Sequence, residues 1–256
     1  MENGGVARVG AGQAIALALA VSLALAFATQ SGPLLRPLFD FEPMRGIPYG
    51  RAVMITLVDL AVMLILLRLA GASGAALAHL SGVFAPIGLP AVFAILTIGP
   101  AIAVSASLVP LATGVTASDL AWKTFGGPFF EEVAFRGLAV GVLMRLCGWP
   151  FIPACLWPAV FFGAAHVWQG GDWQEVAGII GITGAGGILF GWLYVRWGFN
   201  LWPPVFLHSG LNGVWLMYDL GENAIGGWFG NGLRLAVVAM AIATTLWLKR
   251  RVAPSD

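Results

Sequence analysis

Long apolar stretches separated by short polar breaks run through nearly the whole chain. A bilayer core asks for about 20 apolar residues per helix. About eight segments approach that length: 12–29, 52–70, 89–113, 128–147, 151–168, 175–197, 201–218 and 229–248. Period-2 alternation is missing, and the runs are too long for barrel strands, so helices are the predicted elements. The pattern predicts an all-α, polytopic membrane helix bundle of about eight transmembrane helices. No polar linker divides it, so residues 1–256 read as a single membrane domain. Small residues inside the spans, such as Gly184-Ala185-Gly186-Gly187, suit close helix approach.

Composition sharpens this picture. Apolar residues make up 59% of the 256, and charged residues only 10%. A soluble domain carries about 25% charged residues. The bulk of this chain must therefore be solvated by lipid, and the lipid bilayer is its first partner. The net charge of +1 gives no basic surface for nucleic acid, so none is expected as a partner. Cys147 and Cys155 form no CxxC pattern, and neither a thiolate metal site nor a disulfide is expected. The first run ends in Ala26-Phe27-Ala28, which looks like a cleavage site. Arg8 alone makes a weak basic leader, so an uncleaved first span is expected. With eight spans both termini share a side. That side collects Arg8, Arg68, Arg145, Arg196, Lys249, Arg250 and Arg251 against Arg36, Arg45, Arg51 and Lys123, which favours cytoplasmic termini.

Ionisable groups inside spans are costly and point to function. Here they fall in three groups: Glu131, Glu132 and Arg136; His166, four residues after Phe162; and His208 with Asn212. Pro128 fits the first turn of the fourth span, with Thr124 as its cap. Glu132 and Arg136 are four apart and should pair across one turn, while Glu131 points about 100° away toward a cavity. His208 and Asn212, also four apart, share one helical face. If the helices alternate direction, all three groups fall in the same half of the membrane. A carboxylate and a histidine sharing one cavity can deprotonate water. A second histidine and an amide can hold an oxyanion. The alternative is zinc held by Glu131, His166 and His208, although no HExxH spacing supports it.

Three further sets of residues read as structural. His79 reads as a plain loop residue. Asp59, in the second span, would pair with Arg234 in the eighth or line the cavity. Trp149, Trp157, Trp168, Trp192, Trp197 and Trp202 mostly sit near span ends, as an interfacial belt does.

The three groups resemble the motifs of the CAAX prenyl protease 2 and bacteriocin-processing (CPBP, or Abi) intramembrane proteases. The family's EExxxR, FxxxH and HxxxN patterns stand here as Glu131-Glu132-x-x-x-Arg136, Phe162-x-x-x-His166 and His208-x-x-x-Asn212. The resemblance covers about residues 125–218, which would be the catalytic core. It implies an intramembrane endopeptidase in a cell membrane, of the prokaryotic kind, acting on a peptide or protein that is lipidated or inserted in the membrane. It implies that Glu131 activates water with His166, that His208 and Asn212 stabilise the oxyanion, and that Glu132 and Arg136 support them. It favours a metal-free glutamate mechanism with no cofactor, with zinc as the alternative. A non-catalytic immunity or binding protein and a proton-coupled transporter are the competing readings.

Overall fold

A computed structural model describes residues 7–252. Every regular element among them is helical. We label the main ones α1 (Ala11–Leu35), α2 (Gly50–Leu69), α3 (Gly74–Ser81), α4 (Gly88–Leu108), α5 (residues 117–146), α6 (Phe151–Ala164), α7 (Trp173–Arg196), α8 (Trp202–Met217) and α9 (Trp228–Val252). Six helical stretches are long and apolar enough to cross a membrane: Ala11–Phe39, Gly50–Leu69, Gly88–Leu108, Phe151–Gln169, Trp173–Arg196 and Trp228–Leu248. The other two expected spans are α5 and α8. The first carries the buried charges, and the second has only 16 residues. The first helix includes Ala26-Phe27-Ala28 in its continuous run. Residues 1–6 and 253–256 lie outside the described residues, as do the side chains of Lys249, Arg250 and Arg251 that weigh in the charge count.

Several boundaries move for identifiable reasons. The third span stops at Leu108 rather than near 113, because Val109 turns extended (φ −131°, ψ 134°) ahead of Pro110. His79 is not in a loop. It lies on α3, which Ser73 caps by accepting from the Ala76 N–H at 3.1 Å. Asp59 does not meet Arg234. Its carboxylate accepts from Ser31 Oγ of α1 at 3.0 Å, while Arg234 bonds Asn231 and lies over the Trp215 ring. The tryptophans split: Trp168 is exposed as a belt residue would be, but Trp197 is buried edge-on against Phe93. Trp202 donates to the Val83 carbonyl at 3.0 Å. Cys147 and Cys155 are free thiols.

The largest departure is in α5. Thr116 and Asp119 form a reciprocal capping box, so this helix begins at Ala117, well before Pro128. It then widens into π-helical register over Leu120–Gly126 and again after Glu132. Thr124 does not cap anything; its hydroxyl donates back to the Leu120 carbonyl. Glu131 therefore lies about 20 Å from the helix start rather than in its first turn.

Glycines set the helix spacing around α5. A Cβ on Gly191 of α7 would come within 2.7 Å of Cys155 Sγ on α6, and one on Gly187 within 3.0 Å of the Ala159 Cβ. The small-residue stretch thus lets α6 and α7 pack backbone to backbone. Gly137 of α5 faces α3 in the same way: an added Cβ would sit 2.6 Å from the Ser81 carbonyl oxygen and 3.0 Å from its Cα. Since backbone cannot swing aside, Gly137→Ala is expected to destabilise the protein by about 1–3 kcal/mol. Gly99→Ala, with nothing within 4 Å, should be neutral or nearly so. Unfolding in mixed micelles checks the pair.

Candidate active site

Among the described residues Glu132 is the most buried acid, with 0% of its surface exposed, and its partner Arg136 has 1%. Their i,i+4 spacing brings Arg136 Nη1 to 3.0 Å from Glu132 Oε1. The same oxygen accepts from His208 Nδ1 at 2.8 Å, which ties α8 to α5. Only one carboxylate oxygen is used, and Glu132 Oε2 and Arg136 Nη2 are buried without partners.

Aromatic rings enclose this cluster. The Arg136 guanidinium lies 4.6 Å from the Phe162 ring centroid, 5.1 Å from Phe190 and 5.9 Å from Phe135. The His208 ring stacks on Phe190 at 5.0 Å and 20° and meets Phe162 edge-on at 6.2 Å. Phe162 comes from α6 and Phe190 from α7, so four helices meet around one ion pair. The sequence marked Phe162 by its motif. Phe135 and Phe190 were missed, because an aromatic within an apolar span carries no signal of its own.

Glu131 is rotated out of this buried face, with 36% of its side chain exposed. His208 Nε2 lies 3.8 Å from Glu131 Oε2, so the imidazole spans the two acids. A paired carboxylate can only accept, so His208 Nδ1 carries the proton shared with Glu132. Nε2 is then the atom His208 presents toward Glu131.

His166 follows the end of α6 and is half-buried. Its Nδ1 lies 2.7 Å from the Phe162 carbonyl oxygen, and its ring is 4.7 Å from the Phe162 ring. A carbonyl accepts only, which puts a proton on Nδ1 and, in the neutral ring, makes Nε2 the acceptor. No hydrogen bond or ion pair joins His166 to Glu131, Glu132 or His208 among the described residues. Asn212 also stands apart from His208. Its Nδ2 donates to the Lys123 backbone carbonyl of α5 at 3.1 Å, so it faces α5. The structure thus joins Glu131, Glu132, Arg136 and His208 directly. It sets His166 and Asn212 beside them on separate anchors. Among the described residues no three His, Cys, Asp or Glu donors are grouped to hold a metal ion. Glu131, His166 and His208 are not grouped closely enough to form a ready zinc cage.

Above the site, Tyr49 stands in left-handed conformation (φ 59°) at the start of α2. Its hydroxyl donates to Asp119, which also pairs with Lys123 Nζ at 2.9 Å and accepts from Thr116 Oγ at 2.6 Å. The Thr116, Tyr49 and Lys123 donors hold the Asp119 carboxyl well below its ordinary value of 3.8. This clasp, which the sequence did not point to, fastens the segment before α2 onto the first turns of α5.

The family model described as type II CAAX prenyl endopeptidase Rce1-like matches residues 113–214. That range takes in α5 to α7, most of α8 and every residue of the cluster. No curated protein and no solved structure matches the chain.

Arg136→Met strands the Glu132 charge in the interior and should cost about 3–5 kcal/mol. Glu131→Gln, at a partly exposed position, should stay within about 0.5 kcal/mol of the wild type. Detergent unfolding separates them. A carboxyl whose pKa is depressed by folding stabilises the fold above its unfolded pKa, and that stability is lost as pH falls through the folded value. The gap in unfolding temperature between wild type and Asp119→Asn should therefore stay constant from pH 8 to 5 and close only below about pH 4.

Proposed function

We propose, from the premise that residues 113–214 belong to the type II CAAX prenyl endopeptidase Rce1-like family, that this integral membrane protein is a CAAX-type endopeptidase whose water is activated by Glu131. The observation that carries the reading is the geometry of His208. Its ring is fixed from behind by the buried Glu132 at 2.8 Å and presents Nε2 toward the accessible Glu131 at 3.8 Å. Two adjacent acids thus receive different work. Glu132 is spent on orientation, and Glu131 is left with a face open to substrate and water.

In this mechanism water sits against the Glu131 carboxylate, and Nε2 of a neutral His166 supplies a second acceptor. Glu131 takes one proton as the oxygen attacks the scissile carbonyl. The carbonyl π pair moves to oxygen and gives a tetrahedral oxyanion. Asn212 retains one N–H beyond the bond to Lys123 and offers it to that oxyanion. His208 adds a second donor when its ring is doubly protonated, because Nδ1–H is already given to Glu132. The oxyanion then collapses, the C–N bond breaks, and Glu131 returns its proton to the leaving amine. The acid is regenerated as a carboxylate, and one water is consumed per bond cleaved.

The test is cleavage, read by mass spectrometry, of two probes in liposomes: a farnesylated peptide ending in a CAAX sequence and an unmodified membrane-spanning peptide. The wild type should cleave at least one. Glu131→Gln and His166→Ala should each lower the rate by about 100-fold or more, and a chelator should leave the wild type unaffected. Loss of activity on chelation that zinc restores would replace the metal-free mechanism with the Glu131, His166 and His208 zinc set. A wild type inert toward both probes, or a Glu131→Gln variant as active as wild type, overturns the reading in favour of a binding protein.

A further inference from the structure

The Asn212 bond to Lys123 has an unusual acceptor. A backbone carbonyl inside a helix normally receives a helical N–H, and a side chain from another helix finds it already engaged. The Lys123 carbonyl has neither of its two helical donors. In α register its donor would be the Gly127 N–H, but that group bonds the Trp122 carbonyl, one residue earlier. In the π register that Leu120–Gly126 adopts, its donor would be residue 128, which is proline and has no N–H. The carbonyl is therefore orphaned inside the helix, and Asn212 Nδ2 fills the vacancy at 3.1 Å. Neighbouring contacts keep the two helices in register there. A Cβ on Gly213, the residue after Asn212, would lie in ordinary contact with Thr124, the residue after Lys123.

We propose that Pro128 is a positioning residue for Asn212. It removes a helical hydrogen bond and so creates the backbone acceptor that locks the carboxamide. This assignment rests on the reading of Asn212 as an oxyanion donor. An amide has two N–H groups on one planar nitrogen. Fixing one on the Lys123 carbonyl fixes the direction of the other, which is what preorganised stabilisation of developing charge requires. The buried Pro128 lies three residues before Glu131 on the same helix. One helical segment thus supplies the acid and, through its missing N–H, the anchor for the amide on α8.

A double-mutant cycle on the full-length protein tests this with two readouts. Pro128→Ala restores an N–H, which can engage the Lys123 carbonyl and release Asn212. The kcat for peptide cleavage should fall by about tenfold or more with KM little changed. In an Asn212→Ala background, Pro128→Ala should change kcat no further, whereas a merely structural proline would harm both backgrounds alike. The second readout does not need activity. Asn212→Ala should weaken the unfolding equilibrium in the wild-type background, where it strands the carbonyl, and weaken it much less beside Pro128→Ala. The expected coupling is about fivefold or more. Asn212→Asp, equal in size but without the donor, should behave as Asn212→Ala in both readouts. If Asn212→Ala leaves cleavage untouched while the stability coupling is present, the catalytic reading of Asn212 fails and the tether stands. If the two substitutions are additive in stability, the tether itself is overturned, whatever Asn212 does for cleavage.

Discussion

The arrangement depends on one carboxylate placed where water does not reach. Glu132 has no exposed surface, and its oxygen is shared by Arg136 from its own helix and His208 from α8. A lone carboxylate at such a position would cost several kcal/mol, and removing either partner exposes that cost. The ion pair is therefore weak as a source of net stability but strong as a selector of geometry. Only one rotation and one axial register of α8 against α5 put His208 Nδ1 on Glu132. Only close packing of α6 and α7 brings Phe162 and Phe190 over the guanidinium, and the glycines of α7 permit that packing.

From this constraint the unequal surroundings of two neighbouring acids follow without further machinery. Successive helical residues differ by about 100°. If one acid is locked inside, the other must emerge on the adjoining face. His208 passes the constraint on, because a ring held at Nδ1 and flanked by two aromatic rings has few directions left for Nε2. The orientation of Glu131 and of His208 Nε2 is thus set from the buried side of the bundle.

How much of this could be read from residues alone varies by element. The six apolar spans and the Glu132–Arg136 pair were legible, since hydropathy and i,i+4 spacing are local properties. The start of α5 was not. Pro128 resembles a first-turn proline, and the eye stops there, while the true start at Ala117 is set by a capping box in a polar stretch that hydropathy discounts. Asp59 illustrates the other limit. A buried acid must find a donor, but sequence does not say which, and Ser31 on the adjacent helix is as good as a distant arginine. Asn212 was legible as a polar group on the face of His208. Its anchor was not, because a backbone carbonyl freed by a proline and a register change is invisible to any pattern of side chains.

The depth of Glu131 constrains the surroundings of the site. In the first turn of a span it would sit in the headgroup region, and its exposure would need no explanation. It lies instead near the middle of the helix 117–146, with 36% of its side chain open. A charged acid facing hydrocarbon there is strongly disfavoured, and intramembrane acids face a bundle interior or a wet cavity. The open face of Glu131 therefore calls for polar surroundings rather than hydrocarbon. The short helix α8 is held on α5 by the His208 and Asn212 bonds, and the clasp that ties Tyr49 to Asp119 lies nearer the start of α5. A helix of 16 residues leaves part of the bilayer thickness unspanned, since crossing it takes about 20. A short span is met by local thinning of the bilayer or by polar groups at its ends, and either brings water nearer the Glu131 face than a full-length helix would.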